Sequence, residues 1–414
     1  MSASTQNKLL SFSEARKVVE QYAANLAPTD PELTGLLDAV GLALAEDLRA
    51  DRDFPPFPRT TRDGYAVRAA DVRNVPSKLR CVGSIKAGAA VEDSEVTVSE
   101  GEAVEIMTGA PVPKGADAVV MVEFTGSTES HVTVKRSVGV GENVVAAGAE
   151  AHRGDVIVPR GTRVRHTVVA VAAAVGRAEV AVHRRPTVAV LATGDELVDI
   201  NLPPGPNEIR NSNTYSLAAQ VYEAGGEARL LPIAPDEAGE IALLLHKGLD
   251  ADLLLLTGGV SMGKYDLVEE VLASAGAEFF FTGVAIQPGK PVVFGQVAID
   301  GKTKPFFGLP GNPVSTMVTF QLFVRPVLDA LAGAAPQGLP FARAALKETL
   351  TTKTGLTRFL PGKLSGTYEK PEVELVRWHG SGDLMAASRS NCYIVVPPDR
   401  EKLETGEAVT VLLS

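Results

Sequence analysis

Cysteine and histidine are scarce in this chain, and each shortage removes a class of chemistry. The two cysteines, Cys81 and Cys392, lie far apart and in no metal-ligand spacing, so they read as packed thiols in a reducing cytosol. The six histidines are scattered, which leaves neither a zinc site nor a histidine-centred triad with any support. No G-x-S-x-G and no Cys–His pair marks a catalytic nucleophile. Long apolar runs are missing too: TVVAVAAAV, Thr167 to Val175, falls far short of the ~20 residues that span a bilayer. The opening MSASTQNKLLSFSEARKVV has no apolar signal core. Positive charge is in deficit, at a net −10, which disfavours sequence-independent nucleic-acid binding. The expectation is a cytoplasmic protein that binds no nucleic acid and is not inserted in a membrane. Small anionic ligands stay open, because one local pocket can oppose the global field.

What is present suits a globular protein of several domains. The 414 residues are too many for one ordinary core, and 45% hydrophobic with 22% charged content is that of a folded chain. Ser11 and Glu14 form a capping-box pattern ahead of Ala15, Val18, Val19 and Tyr22 at helical spacing. TGLLDAVGLALAEDL reads as a second helix, stopped by FPPFPRT. From Gly64 to about Gly148, short alternating runs between glycines and prolines predict an all-β module. The Ala/Val helix at 167–175 is expected to pack with the N-terminal helices, which makes the β-module an insertion. From Pro186, continuous apolar strands alternate with helices, the pattern of a parallel sheet covered on both faces. Beyond Pro336 the texture is β again.

Ligands on such a sheet sit at the carboxyl ends of its strands, and the chemistry-bearing loops fall there. LLLLTGGVSMGKYD, Leu253 to Asp266, nearly spells a P-loop, but Tyr265 stands where the Mg²⁺-binding Ser or Thr is required. What survives is a strand, close-approach glycines and a helix start, which together favour an anion. The same features also make a tight turn with no ligand. Other loops share this character. ATGDEL offers Asp195 and Glu196, APDE offers Asp236, NSN offers Ser212 and Asn213, and LPGNP places Asn312 between Pro310 and Pro313. One such carboxylate is most often a cap or turn former. Several on one sheet edge argue for Mg²⁺ bridging phosphates, since Mg²⁺ takes one or two protein carboxylates plus phosphate oxygens. In the β-module, Asp63 of TTRDGYAV and Thr108 of IMTGAPVP are explained by turn chemistry as readily as by function.

RDGYAV, IMTGAPVP, GADAVV, TGDEL, GGVSMGKYD, PGKP and LPGNPVS occur in this order along the chain. In these motifs the sequence resembles the MoeA family of molybdopterin molybdenumtransferases, which includes the gephyrin E-domain. The resemblance implies an elongated homodimer of α/β multidomain subunits. Its expected parts are a mainly helical split domain (1–50 and 153–185), an inserted β-domain (51–152), a parallel-sheet, MogA-like molybdopterin-binding domain (186–334) and a C-terminal β-barrel (335–414). It implies insertion of molybdate into adenylylated molybdopterin with release of AMP and use of Mg²⁺. Matched catalytic positions are Asp63, Thr108, Glu196, Asp236 and Asp266, with Glu196 and Asp236 as metal ligands. Substrate-binding positions are Ser212, Asn213, Gly258, Gly259, Ser261, Gly263, Lys264, Lys290, Pro310, Asn312 and Pro313. Asp63 and Thr108 are expected to work in trans, across the dimer.

The sequence departs from that pattern in charge. The family often has lysines where this chain has Gly283 and Gln287, and many members carry an arginine-rich run where Val144, Val145, Ala146 and Ala147 stand. Each lost charge-assisted contact is worth about 1.5–3 kcal/mol. The competing expectation is therefore a gephyrin-like scaffold that binds a peptide of a membrane receptor or cytoskeletal protein, with Phe341, Leu356, Phe359, Trp378 or Tyr393 as anchors. The retained acids favour the enzyme.

Overall fold

The computed structural model describes residues 9–88, 96–259, 267–299 and 301–414. The chain divides into two compact units: Met1–Ala45 with Gly161–Arg165 and Ala181–Ser414, and Glu46–Arg160 with His166–Val180.

The first unit is built on a six-stranded sheet in the order Glu227–Leu230, Thr187–Ala192, Leu253–Thr257, Lys302–Leu309, Val293–Ile299, Glu278–Phe281. The first four strands pair in parallel, while Val293–Ile299 is antiparallel to both of its neighbours. Its strands are apolar at successive positions because both faces are covered. Val188, Val190, Leu253 and Leu255 pack with Leu217 and Val221 of the Asn213–Glu223 helix on one side. Ala189, Leu191, Leu254 and Leu256 pack with Ile241, Leu245, Val268 and Leu272 on the other. Lying between Glu227–Leu230 and Leu253–Thr257, the Thr187–Ala192 strand marks a reversal of strand order, and a crevice opens at the carboxyl ends there.

The Pro313–Leu331 helical stretch is long and apolar enough to cross a membrane by composition, yet 72% of its window is buried inside the protein. It is a core helix, with a π turn at Phe320–Val324 ahead of Pro326. Asp329 on it is buried between Arg163 (2.5 Å) and Arg325 (2.9 Å), and Arg163 also donates to the carbonyls of Gly41 and Ala224. Beyond it, Phe341–Leu346, Thr357–Gly366, Pro371–Leu375, Cys392–Val396 and Ala408–Leu413 close a five-stranded barrel, as expected.

The second unit carries a six-stranded sheet ordered Ala118–Met121, Gly64–Val67, Glu102–Ile106, Ser77–Ile85, His131–Val134, Thr125–Ser127, which bears out the all-β module. Its Gly64 is fixed by sterics, since a Cβ there would lie 1.9 Å from the Val120 carbonyl.

Two helical expectations need correction. The N-terminal helix Phe12–Ala23 forms with its capping box, but Ala15 and Val19 bury in the core of the first unit, whereas the His166–Ala174 helix belongs to the second. The stretch from Thr34 to Leu48 is turns and bridges, not helix. Gly41 has φ +87°, and Leu42 and Leu44 exchange backbone hydrogen bonds with Thr162 and Val164. A favourable periodicity thus yields to tertiary pairing of otherwise unsatisfied backbone groups.

Asp329→Ala is expected to lower stability by about 3–5 kcal/mol, because it strands two guanidinium groups. Denaturant unfolding with an unchanged m-value checks it.

Candidate functional site

At the switch point lies a polar cavity of about 610 Å³. The expected residues Glu196, Asp236, Ser212, Asn213, Gly258, Gly259, Pro310, Asn312 and Pro313 all line it. Lys290 is exposed and lies next to Pro291, which also lines it. Ser261, Gly263, Lys264 and Asp266 lie outside the described residues. A second hollow, about 640 Å³, is lined mainly by apolar side chains such as Leu245, Leu249, Val271 and Ile299, with His246, Glu270 and Ser274 as its polar residues.

Asn213 ties three loops together. Its Nδ2 donates to Gly311 O at 2.7 Å and Thr257 Oγ1 at 3.0 Å, and Thr257 Oγ1 donates on to Pro310 O at 3.3 Å. The Gly311 carbonyl can only accept, so the orientation of the amide is forced. Pro310 O takes a second hydroxyl proton from the buried Thr316. The Asn213–Glu223 helix is capped by neither Ser212 nor Asn213; buried Asn211 does it, accepting from Thr214 N (3.2 Å) and Oγ1 (2.9 Å).

Gly258 and Gly259 have φ of +90° and +63°, and a Cβ on Gly258 would stand 2.3 Å from the Thr193 carbonyl oxygen. These glycines therefore let two strand ends touch, whatever they also offer an anion. Glu196 folds back on the chain, its carboxylate 2.5 Å from where a Gly194 Cβ would be. Asp236 donates its backbone N–H to Asp195 Oδ1 at 3.0 Å. Partial desolvation, then the charges of Asp195 and Glu196, push the Asp236 carboxyl above the usual range. Among the described residues neither Glu196 nor Asp236 has an ion-pair partner, and no group of three or more His, Cys, Asp or Glu is arranged around a metal position. This donor set is not an all-protein metal cage. It suits a hard cation that keeps waters or phosphate oxygens as its other ligands.

Asp63 and Thr108 come together in the second unit. Asp63 Oδ1 accepts from Thr108 N (2.6 Å) and Thr108 Oγ1 (2.8 Å), and these two bonds hold the exposed carboxyl below its usual range. Thr108 is thereby committed to orienting Asp63. At the positions without the family's basic residues, a Cβ on Gly283 would meet Leu9 Cδ2 at 2.7 Å, and Gln287 is bonded to Arg358. Val144–Val145 pairs with Arg59–Thr60 as a strand. Of the scaffold anchors, Phe359 and Tyr393 are core, Leu356 and Trp378 half-buried, and Phe341 exposed.

Sequence reasoning missed Thr193, Arg210, Asn211, Thr257 and the barrel-side loop residues Gly382 and Leu384, all of which line the cavity. Asn211 is the first residue of NSN itself, and Arg210 immediately precedes that motif. Gly382 and Leu384 lie 123 and 125 residues beyond Gly259 in the chain, and only the fold brings them in.

A doubly covered α/β sheet with an acidic, glycine-lined crevice at its switch point defines an α/β protein of the ligand-binding class. The family models agree along the chain: the MoeA N-terminal region (domain I and II) matches residues 10–176, the probable molybdopterin binding domain 189–330, and the MoeA C-terminal region (domain IV) 343–414. The chain is 34% identical to the molybdopterin molybdenumtransferase of Bacillus subtilis, over 93% of this chain and 90% of that protein. It is 35% identical to the one from a Nostoc species, over 92% and 88%. The crystal structure of the molybdopterin biosynthesis MoeA protein from Pyrococcus horikoshii OT3 superposes with a TM-score of 0.79 at 30% identity, covering 98% of this chain and all of that one. This chain belongs to the MoeA family.

Two outcomes test the geometry. Gly258→Ala should lower stability by about 1–3 kcal/mol through its positive φ and the contact with Thr193, read as a shifted denaturant midpoint. Thr108→Val should let the Asp63 pKa rise toward the ordinary value, measured by carboxyl-carbon NMR titration.

Proposed function

We propose that this chain is a cytoplasmic molybdopterin molybdenumtransferase that inserts molybdate into adenylylated molybdopterin and releases AMP. The observation that carries the reading is the convergence of Glu196, Asp236, Asn213, the Gly258–Gly259 turn and the Pro310–Pro313 loop on one cavity at the switch point. Its relatives' activity supports the same assignment.

In this reading Glu196 and Asp236 hold Mg²⁺, which neutralises phosphate charge when bound. Asn213 keeps the three loops in register, so that phosphate oxygens meet backbone at Gly258–Gly259 without side-chain obstruction. Asp63, held ionised by Thr108, orients water or accepts a proton at the phosphoanhydride. As the family resemblance implies, the proposal includes a homodimer in which Asp63 and Thr108 of one copy complete the cavity of its partner. It also retains the four-domain division with boundaries near residues 50, 152, 185 and 334. Phe341 is the one exposed candidate among the scaffold anchors, which leaves the peptide-binding alternative with less support.

AMP release from adenylylated molybdopterin, dependent on molybdate and Mg²⁺, is the direct test. Asp63→Ala and Glu196→Ala should each lower it at least a hundredfold; no release from folded wild-type protein sinks the reading. Mixing the two inactive variants should restore about a quarter of wild-type activity if subunits exchange and the site is shared, because half the dimers are mixed and one of their two sites is intact. No recovery in verified mixed dimers places both residues in the same subunit's site. Protons compete with the cation at Asp236, so Mg²⁺ affinity should weaken as pH falls through the raised Asp236 pKa. In Asp236→Asn that dependence should flatten, as titration calorimetry across pH would read.

A further inference from the structure

Where the C-terminal barrel meets the cavity, the chain between Trp378 and Asn391 is anchored at both ends. Trp378 is half-buried and packs against the cores of the sheet and of the barrel. Asn391 is tied to the strand Thr357–Gly366 three times. Its backbone N–H donates to Gly362 O at 3.0 Å, its Nδ2 to Leu364 O at 3.0 Å, and its Oδ1 accepts from Leu364 N at 2.7 Å. Between these anchors lie Gly382 and Leu384, which line the cavity. Gly380 and Gly382 leave this stretch little stiffness of its own.

One side chain supplies the missing order. Asp383 is 15% exposed, and its carboxylate accepts from Ala386 N at 2.9 Å, His379 N at 3.0 Å and His379 Nδ1 at 3.3 Å. It thereby caps the short helix Leu384–Ala387 and closes the turn back to His379. The backbone N–H groups of Ala386 and His379 hold its carboxyl below the usual range, so it stays ionised near neutral pH. An ionised carboxylate can only accept, which puts the proton on His379 Nδ1.

The turn that Asp383 shapes rests on the LPGNP loop. Ser381 O accepts from Val314 N at 2.9 Å, an N–H in the first turn of the Pro313–Thr319 helix with no acceptor in its own helix. A Cβ on Gly382 would stand 3.8 Å from Asn312 Oδ1. Behind the loop a further hollow of about 600 Å³ continues along the same two helices. Asn213 and Pro313 line the cavity, while Ser216 and Met317, one turn further on, line the hollow. Leu384 lines both.

We propose that Asp383 is a positioning residue that holds the loop 379–384 against the Pro313–Thr319 helix, where Leu384 is the partition that ends the substrate cavity and limits the length of substrate it takes. The docking stands on the hydrogen bonds of the loop; its effect on substrate rests on the transferase reading.

Hydrogen exchange at the backbone amides of the full-length protein tests the docking. Asp383→Ala should speed exchange about fivefold to tenfold, the equilibrium shift of a lost helix cap, at Ala386 and also at Val314. A cap that served its own helix alone would leave Val314 protected, which overturns the proposal. Asp383→Asn, which keeps one acceptor oxygen, should deprotect Val314 less and serves if the alanine variant does not fold. AMP release tests the partition. Asp383→Ala should raise KM for adenylylated molybdopterin about fivefold to tenfold. It should leave kcat within about twofold, because a wall and not a reacting group is disturbed. Leu384→Ala should raise KM in the same way with Val314 still protected. An unchanged KM in protein whose Val314 is deprotected, or a fall in kcat alone, overturns the proposal. No AMP release from wild type rejects the transferase reading and the partition with it, while exchange still decides the docking.

Discussion

Burial of the parallel sheet on both faces is the constraint from which the rest of the first unit follows. Val188 and Val190 face one layer of helices, Ala189 and Leu191 the other, so the interior of this central strand is wholly apolar, as is Leu253–Leu256 beside it. Polar chemistry is confined to strand ends, where the chain turns and its backbone groups need partners. Because the strand order reverses at Thr187–Ala192, two neighbouring ends diverge and leave a crevice. The cavity is a consequence of topology before it is a product of any motif.

Its walls are held by a few polar ties. The Asn213 amide spans to Thr257 and Gly311, and the Pro310 carbonyl gathers hydroxyls from Thr257 and Thr316. Such bonds are worth more inside a protein than at its surface, since the unmade alternative is a desolvated donor. In the same cavity the Asp236 pKa is raised first by partial desolvation and then by repulsion from Asp195 and Glu196. A cation and an anionic ligand together would relieve it. The membership of this chain in the MoeA family agrees with that need.

Charge is the feature in which this chain differs from the family pattern it otherwise follows. Gly283 is packed against Leu9, where a longer side chain would require a rearrangement, and Gln287 is engaged by Arg358. Thus the positions at which positive charge was missed are not vacant surface. One supports local packing, and the other orients a guanidinium donated by the barrel. Reading charge position by position along the sequence could not reveal this, because the residue bonded to Gln287 lies 71 positions away.

The sequence by itself determined the elements and the identity of the site loops. Apolar strands alternating with helices, the Ser11–Glu14 cap, the β-module and the β texture beyond Pro336 were legible because period and punctuation are local signals, whereas the barrel was implied by the family resemblance. The motifs around Glu196, Asp236, Asn213 and Pro310 were legible for the same reason. Tertiary structure alone decided that Thr34–Leu48 is not helical, since its backbone groups find partners at 162–164. It decided that Thr108 serves Asp63, that Asn211 is the residue of NSN that caps the helix, and that Gly382 and Leu384 reach the cavity. The physical reason is common to these cases. A hydrogen bond or buried contact between distant residues depends on where the fold places both partners, and no local pattern carries that information.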